Sequence, residues 1–480
     1  MNTSISELCR RLEPRDIFIA LLAVTSLAFA ASCVEDQTRG DHSGGDRSRT
    51  DELQLRAQAT GAQSEGTPAA TRSRSARIAS QSARIDWIRQ FGTASTDSAE
   101  AVAASGEAVY VVGATGGSLE SQRTAEEADA YVQKYDTSGR LQWTRQFGTD
   151  AADHARAVAE ADGSVYVVGS TGGALSEEGK SGTVDGFVRR YDDQGNALWT
   201  RQLNLESDGA SLDDTVHAVT VYDSMVYVVG ESTASTSRSG HSRSLAFIQS
   251  YGADGELAWS DQFFVDDRSS RAWDVAANGD GVYVSGDTPS TTSAALTTWD
   301  AFVRRYDSGG SWKFTRLFDM NEEVGPDTAV SVVVDDRAAY IIGESFQTAG
   351  ESRRTHFVRK LDANGNFEWT RFLKKTPRAI AVDAGMLYVA SGTPPNLFAG
   401  QTPAENGVEV KKFDTTGQIQ WTRRLDASGP VQANSLAVSA TTVYVAGSTD
   451  GTFPGKTNAG GADAFVARLI EPVDRKRQQR

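Results

Sequence analysis

The chain has 480 residues, a formal net charge of −15 and an isoelectric point near 4.9. That balance argues against nucleic acid or an anionic membrane surface as the main partner. The only cysteines, Cys9 and Cys33, precede residue 84, so residues 84–480 hold no disulfide, cysteine nucleophile or cysteine metal site.

In chain order, residues 1–16 carry Arg10, Arg11 and Arg15 beside Glu7, Glu13 and Asp16, and an apolar run from Ile17 to Ala31 comes next. About 15 residues is short for a membrane span, which needs ~20, and suits a signal-peptide core. The run ends in Ala30-Ala31-Ser32-Cys33. Small residues before a cysteine resemble a bacterial lipobox, with Ala30 where leucine is usual. That resemblance implies that 1–32 is a lipoprotein-type signal and Cys33 the lipid attachment site. An ordinary secretory signal with an incidental cysteine is the alternative. Residues 33–83 are rich in Ser, Arg, Gln, Gly and Ala with few large apolar side chains. Such a segment buries too little to offset its ordering entropy, which predicts a flexible tether.

From residue 84 to 470 the chain repeats itself. Trp87, Trp143, Trp199, Trp259, Phe314, Trp369 and Trp421 recur every 52 to 60 residues, each with Phe or Leu four positions later. Each full unit has four strand-like segments. The first reads like Ala101–Ala103 and the second like Val109-Tyr110-Val111-Val112-Gly113. The third reads like Asp129-Ala130-Tyr131-Val132, and the last is the Trp strand. Continuous β-branched and aromatic runs indicate strands buried on both faces. A period of this size with four strands per unit predicts an all-β, seven-bladed β-propeller of antiparallel blades. The first unit is only a Trp strand, residues 84–91, and the last lacks one, so 84–91 should complete the last blade and close the ring. Residues 471–480 form a basic tail that includes Arg475, Lys476, Arg477 and Arg480.

Connections between second and third strands are long (114–128, 231–244, 287–299, 393–406) and gather, with the blade-to-blade connections, on one face. Their few aromatics are Trp299, Phe346 and Phe398. The face is open to two readings, a binding surface or unselected loops. Asp97, Asp153, Asp214 and Asp327 lie five residues before the valine of the first strand, where counting the same way gives Ser270, Pro377 and Ala433 in the other blades. Four carboxylates on one face admit a cation site, and the simpler alternative is that each caps its own loop. Arg89, Arg145, Arg201, Arg316, Arg371 and Arg423 follow the anchor by two positions, with Asp261 as the exception. His154 and His217 read as near-equivalent loop positions, and His356 replaces an alanine of the third strand. No metal-ligand spacing, nucleophile pairing, GxSxG, P-loop, HExxH or EF-hand string is present.

The order DAFV, D-x-x-G turn, aromatic strand, D-x-A-x-A-V, VYVVG-x-T-G resembles the bacterial seven-bladed β-propeller (SBBP) repeat proteins. Val443–Thr449, Phe453-Pro454-Gly455 and Asp463–Val466 give the nearest match. The resemblance covers 84–470 and implies a secreted or surface propeller, often lipid-anchored, without defined activity or catalytic residues. Asp136-x-x-Gly139-x-x-x-Trp143 also resembles the Trp-docking turn of pyrroloquinoline quinone propellers and their non-catalytic outer-membrane assembly relatives. The calcium site and vicinal cysteines of the quinone enzymes are missing. The expectation is a bacterial envelope lipoprotein, at the outer membrane or cell surface, held by lipid on Cys33. Its propeller would be a non-catalytic binding or scaffold module, with no cofactor and no metal, for a protein or glycan partner on the long-loop face. The alternatives are an extracellular hydrolase or quinoprotein-like enzyme and a coat or adhesion spacer.

Overall fold

The computed structural model describes residues 82–122, 127–177, 179–207, 210–233, 244–289, 299–318, 327–347, 353–392 and 407–472. The proposed signal, Cys33, the tether up to residue 81, Phe398 and the basic residues of the tail lie outside them. No helix of the described residues is long and apolar enough to cross a membrane.

Seven four-stranded antiparallel sheets follow one another as blades. Blade 1 is built from Asp97–Ala104, Ala108–Thr115, Asp129–Asp136 and Leu141–Phe147. Blades 2 to 6 span 153–202, 213–263, 271–318, 327–373 and 376–425. A two-stranded hairpin, Glu206–Ser207 with Ala210–Ser211, sits between blades 2 and 3. Blade 7 takes three strands from 431–470, and Arg84–Phe91 pairs antiparallel with Asp463–Ile470, from Arg84↔Ile470 to Phe91↔Ala464. The expected closure is therefore the one observed.

The buried side chains form layers between blades. Along Val109–Val112 successive side chains point to opposite faces. Val109 and Val111 pack with Tyr444, Ala446 and Val466 of blade 7, while Tyr110 and Val112 pack with Val165, Val167 and Phe187 of blade 2. Both faces are covered, which is why the second strands read as unbroken apolar runs.

The anchors join each blade to the next through the turn between its third and fourth strands. Trp87 Nε1 donates to the Thr137 carbonyl at 3.1 Å, and Trp143 Nε1 to that of Asp193 at 3.0 Å. The arginine two positions on joins the same turn, as Arg145 Nε donates to the Gly195 carbonyl at 2.8 Å and its guanidinium lies 5.3 Å from the Trp143 ring. Only glycine fits at the turn. Gly139 has φ +77°, and a Cβ there would stand 2.7 Å from the Trp87 ring. The turn aspartate holds the turn itself, with Asp136 Oδ1 accepting from the Ser138 and Arg140 amides at 2.9 Å each. The arginine thus meets turn carbonyls of the next blade and not its aspartate. Asp261, which replaces that arginine, accepts instead from Tyr306 Oη at 2.7 Å and lies 3.4 Å from Arg304 of blade 4.

The seam departs from this pattern. Blade 7 has no third-to-fourth turn, because its outer strand arrives from the other end of the chain. Glu471 supplies part of the missing turn, accepting from Tyr388 Oη at 2.7 Å and Lys412 Nζ at 2.6 Å, as Asp193 does for Tyr110 at 2.9 Å. No described residue replaces the turn carbonyls, and the buried Trp421 Nε1 and Arg423 Nε have no hydrogen-bond partner among the described residues. Trp143→Phe should therefore cost about 1 kcal/mol for its lost bond. Trp421→Phe should cost less than about 0.5 kcal/mol or stabilise, since it removes an unsatisfied donor. Urea unfolding midpoints of the two variants test this; equal losses would show that the seam donor is satisfied in solution.

Candidate functional site

In all seven blades the first strand carries a β-bulge at one place, leaving one residue without a cross-strand partner. In blade 1 it falls between Ala99 and Ala101, and the residue skipped is Glu100. The equivalents are Arg156, His217, Trp273, Val330, Arg378 and Asn434. The first strands surround the channel, and a bulge re-aims the residue it holds. These seven side chains line one cavity of about 640 Å³ together with their strand neighbours. Where the repeat is kept for packing, the blades agree. At this ring they hold seven different residues bar a shared arginine.

The ring lies toward the long-loop end of the channel. The residue pairs just beyond it add charge. Arg271 Nε reaches Asp287 Oδ1 at 2.8 Å, Arg271 Nη2 reaches Oδ2 at 3.1 Å, and Trp273 Nε1 donates to Oδ2 at 2.9 Å. Burial raises the Asp287 pKa, and these bonds oppose the rise. The Arg271 guanidinium lies between two rings, 4.9 Å from Trp273 and 3.9 Å from Trp299. His217 packs on Trp273 with ring centroids 4.7 Å apart. Its Nε2 lies 3.5 Å from Glu231 Oε1, too far for a good hydrogen bond, and is a buried nitrogen without a partner among the described residues. Burial lowers the His217 pKa, which the Glu231 carboxylate only partly offsets. Glu231 itself is lowered, its burial being outweighed by His217 and Arg271. In the next blade, blade 5, Glu344 lies 3.8 Å from His356 Nδ1 and 3.7 Å from Arg354.

Several sequence expectations change here. Glu231 and Asp287 belong to second strands that run three residues further than expected, not to loops, and Glu344 lies on one that runs four residues further. His154 and His217 are not equivalent: His154 pairs with Ser170, whereas His217 occupies the bulge. Trp299 belongs to the Trp299–Tyr306 strand and stacks on Arg271.

The four aspartates sit at the starts of first strands and are 0–1% exposed, so they do not form an open ring. They clamp the incoming connection: Asp153 Oδ2 accepts from the Thr149 amide at 2.6 Å and Asp214 Oδ2 from Leu205 at 2.9 Å. Register puts Lys375 and Val431, not Pro377 and Ala433, in the place of Asp97, because Ile380 and Leu436 stand where blade 1 has Val102. Among the described residues no group of three or more His, Cys, Asp or Glu is placed to hold a metal ion.

Burial, with Asp185 and Asp213 nearby, pushes the Asp214 pKa up to about 7, against its bond from Leu205. A carboxyl raised in the folded state favours folding while protonated. Its contribution is complete at low pH and is lost as pH rises from 3.8 toward about 7. Asp214→Asn removes this titration while keeping an acceptor for Leu205. The fall in unfolding free energy across that window should shrink, by about 1.4 kcal/mol per pH unit at most. Chemical denaturation at several pH values measures it, and an unchanged profile in the variant would refute the assignment.

No family model matches the chain. The regulatory protein FlaEY of Caulobacter vibrioides is 24% identical over 404 residues, covering 73% of this chain and 36% of that protein. The chain thus spans about a third of that relative's length. Among solved structures, the β-propeller domain of the Trilobed protease of Pyrococcus furiosus matches with TM-score 0.43 and 11% identity, over 79% of this chain and 99% of that one. A puromycin hydrolase matches with TM-score 0.47 and 14% identity, over 79% and 55%. The periplasmic gluconolactonase of Pseudomonas aeruginosa matches with TM-score 0.42 and 14% identity, over 68% and 84%.

Proposed function

We propose that this is an exported envelope lipoprotein of the SBBP-repeat type, anchored through Cys33, whose propeller is a non-catalytic binding module for an envelope protein or glycan. The partner meets the long-loop face at the mouth of the channel. The observation that carries this reading is the ring of bulge residues. Seven repeats share their packing residues but place Glu100, Arg156, His217, Trp273, Val330, Arg378 and Asn434 at one equivalent position in a common cavity. A spacer without a ligand has no need of mixed charge and aromatic surface there, and concave sites with a few convergent polar groups are where ligands bind. The apolar run before Cys33 supports export, and the long Ser- and Arg-rich segment after it supports a stand-off from the membrane.

Two measurements test it. Labelled palmitate should mark the wild type and not Cys33→Ser, and equal marking would remove the anchor. Crosslinked partner recovered from detergent-solubilised envelope should fall when 116–128 and 234–243 are both replaced by short Gly-Ser loops. Unchanged recovery would remove the loop face as the docking side.

A further inference from the structure

We propose that the channel mouth binds an acidic sugar, a uronate-like ligand whose carboxylates are held by Arg156 and Arg378 from the two ends of the polar arc and whose hydroxyls are held by Glu100, Gln432 and Asn434. This rests on the reading of the propeller as a binding module and gives that module its ligand class.

The ring of bulge residues has two arcs. In blade order Arg378, Asn434, Glu100 and Arg156 are contiguous and polar, and His217, Trp273 and Val330 complete the circle as an aromatic and apolar wall. Among the described residues the side chains of Arg156, Arg378, Glu100 and Gln432 make no hydrogen bond or ion pair, although Arg271, a short way off, is engaged by Asp287. Asn434 Nδ2 is spent on the Ala99 carbonyl at 3.0 Å, which fixes the side chain and leaves Oδ1 as an acceptor. The wall is rigid, because Trp273 is bonded to Asp287 and packed by His217.

The combination selects the ligand. Two unpaired guanidinium groups call for an anion, and arginine favours the planar carboxylate. A bare phosphate would leave Glu100 as an uncompensated like charge beside it. A basic or neutral apolar ligand would leave both arginines unanswered. A polyhydroxylated carboxylate satisfies all of them, since hydroxyls donate to the Glu100 and Asn434 oxygens and the C–H face lies on the wall. The cavity of about 640 Å³ has the size of sites for one or two sugar rings.

The test uses full-length protein in detergent, titrated calorimetrically with digalacturonate, with maltose as the neutral disaccharide and with inorganic phosphate. Digalacturonate should bind at least about tenfold more tightly than either control, a difference of ~1.4 kcal/mol. Arg156→Ala and Arg378→Ala should each weaken it about tenfold or more with little change in thermal midpoint, as neither side chain has a hydrogen-bond or ion-pair partner among the described residues. Val330→Trp, which fills the cavity and removes no charge, should abolish binding. Equal binding of phosphate would reduce the site to a point-charge anion site and overturn the sugar assignment. Equal binding of maltose, or full binding by both arginine variants, would overturn the role of the arginines. Absence of digalacturonate binding while the envelope partner is still captured would overturn this inference alone. Loss of both would overturn the binding-module reading as well.

Discussion

Deleting Arg84–Phe91 is expected to turn a folded protein into aggregate. The segment is the outer strand of the last blade, paired with Asp463–Ile470 along its length. Without it that strand becomes an unpaired edge of Phe465, Val466, Ala467 and Leu469, all fully buried in the closed ring. An apolar edge of this kind is a template for pairing with a second chain. The deletion also strips Trp87 from Tyr444, 6.1 Å between centroids, and Phe91 from Tyr131, 5.9 Å away. Blades 7 and 1 therefore lose their shared layer together with the strand. Trp87→Ala alone should cost about 2–4 kcal/mol, below the full range for a core tryptophan because Trp87 is half-buried. Refolding yield and size-exclusion chromatography check the deletion, and urea midpoints check the single variant. A monodisperse deletion with the wild-type midpoint would mean that blade 7 is stable with three strands, and closure would be decoration.

Closure is legible in the sequence because a packing residue reports which strand it belongs to. Trp87 stands alone before the first full unit, and Leu469 ends a unit with no Trp after it. The layers between blades are legible for the same reason, since strands covered on both faces lose their alternation. The ring at the channel is not. Counting from valine works in blades where Val102, Val158, Val219, Val275 and Val332 face the second strand, but blades 6 and 7 have Ile380 and Leu436 there. Counting from Val382 and Val438 instead shifts the aspartate column by two. The bulge adds a residue that breaks the two-residue period, so Glu100, Arg156 and His217 look like loop variation. A signal exists in four of the seven blades, where the variable residue is flanked by small ones, as in Ala99-Glu100-Ala101, Ala155-Arg156-Ala157, Ala329-Val330-Ser331 and Ala433-Asn434-Ser435. Small residues on both sides are what a strand needs where its neighbours crowd it, and the variable one between them is free to face the channel.

Gly169→Ala is expected to be the most damaging small substitution in the propeller, and it tests how the ring is held. Gly169 pairs with Ala155, the residue before the bulge at Arg156. A Cβ on it would lie 1.8 Å from the His154 carbonyl oxygen, and the matching glycines 113, 230, 286, 343 and 447 would meet the equivalent carbonyl at 1.9 to 2.1 Å. The obstacle is backbone on both sides, so no rotamer relieves it. The two strands must separate, which breaks ladder bonds in a fully buried strand and displaces the bulge. The expected loss is about 3 kcal/mol or more, at the upper end for a single substitution. Gly163→Ala is the control. Gly163 has φ +74° with nothing within 4 Å of the added atom, so only conformational strain of about 1 kcal/mol applies. Blade 6 shows the limit of the rule, with Ser391 at this place facing Pro377 in a strand whose bulge falls after the proline. Urea unfolding of the two alanine variants separates the accounts. If Gly169→Ala unfolds at the midpoint of Gly163→Ala, close approach is not what the glycine provides. If it unfolds earlier and a ligand at the channel mouth is lost with it, the glycine holds both the blade and the aim of Arg156.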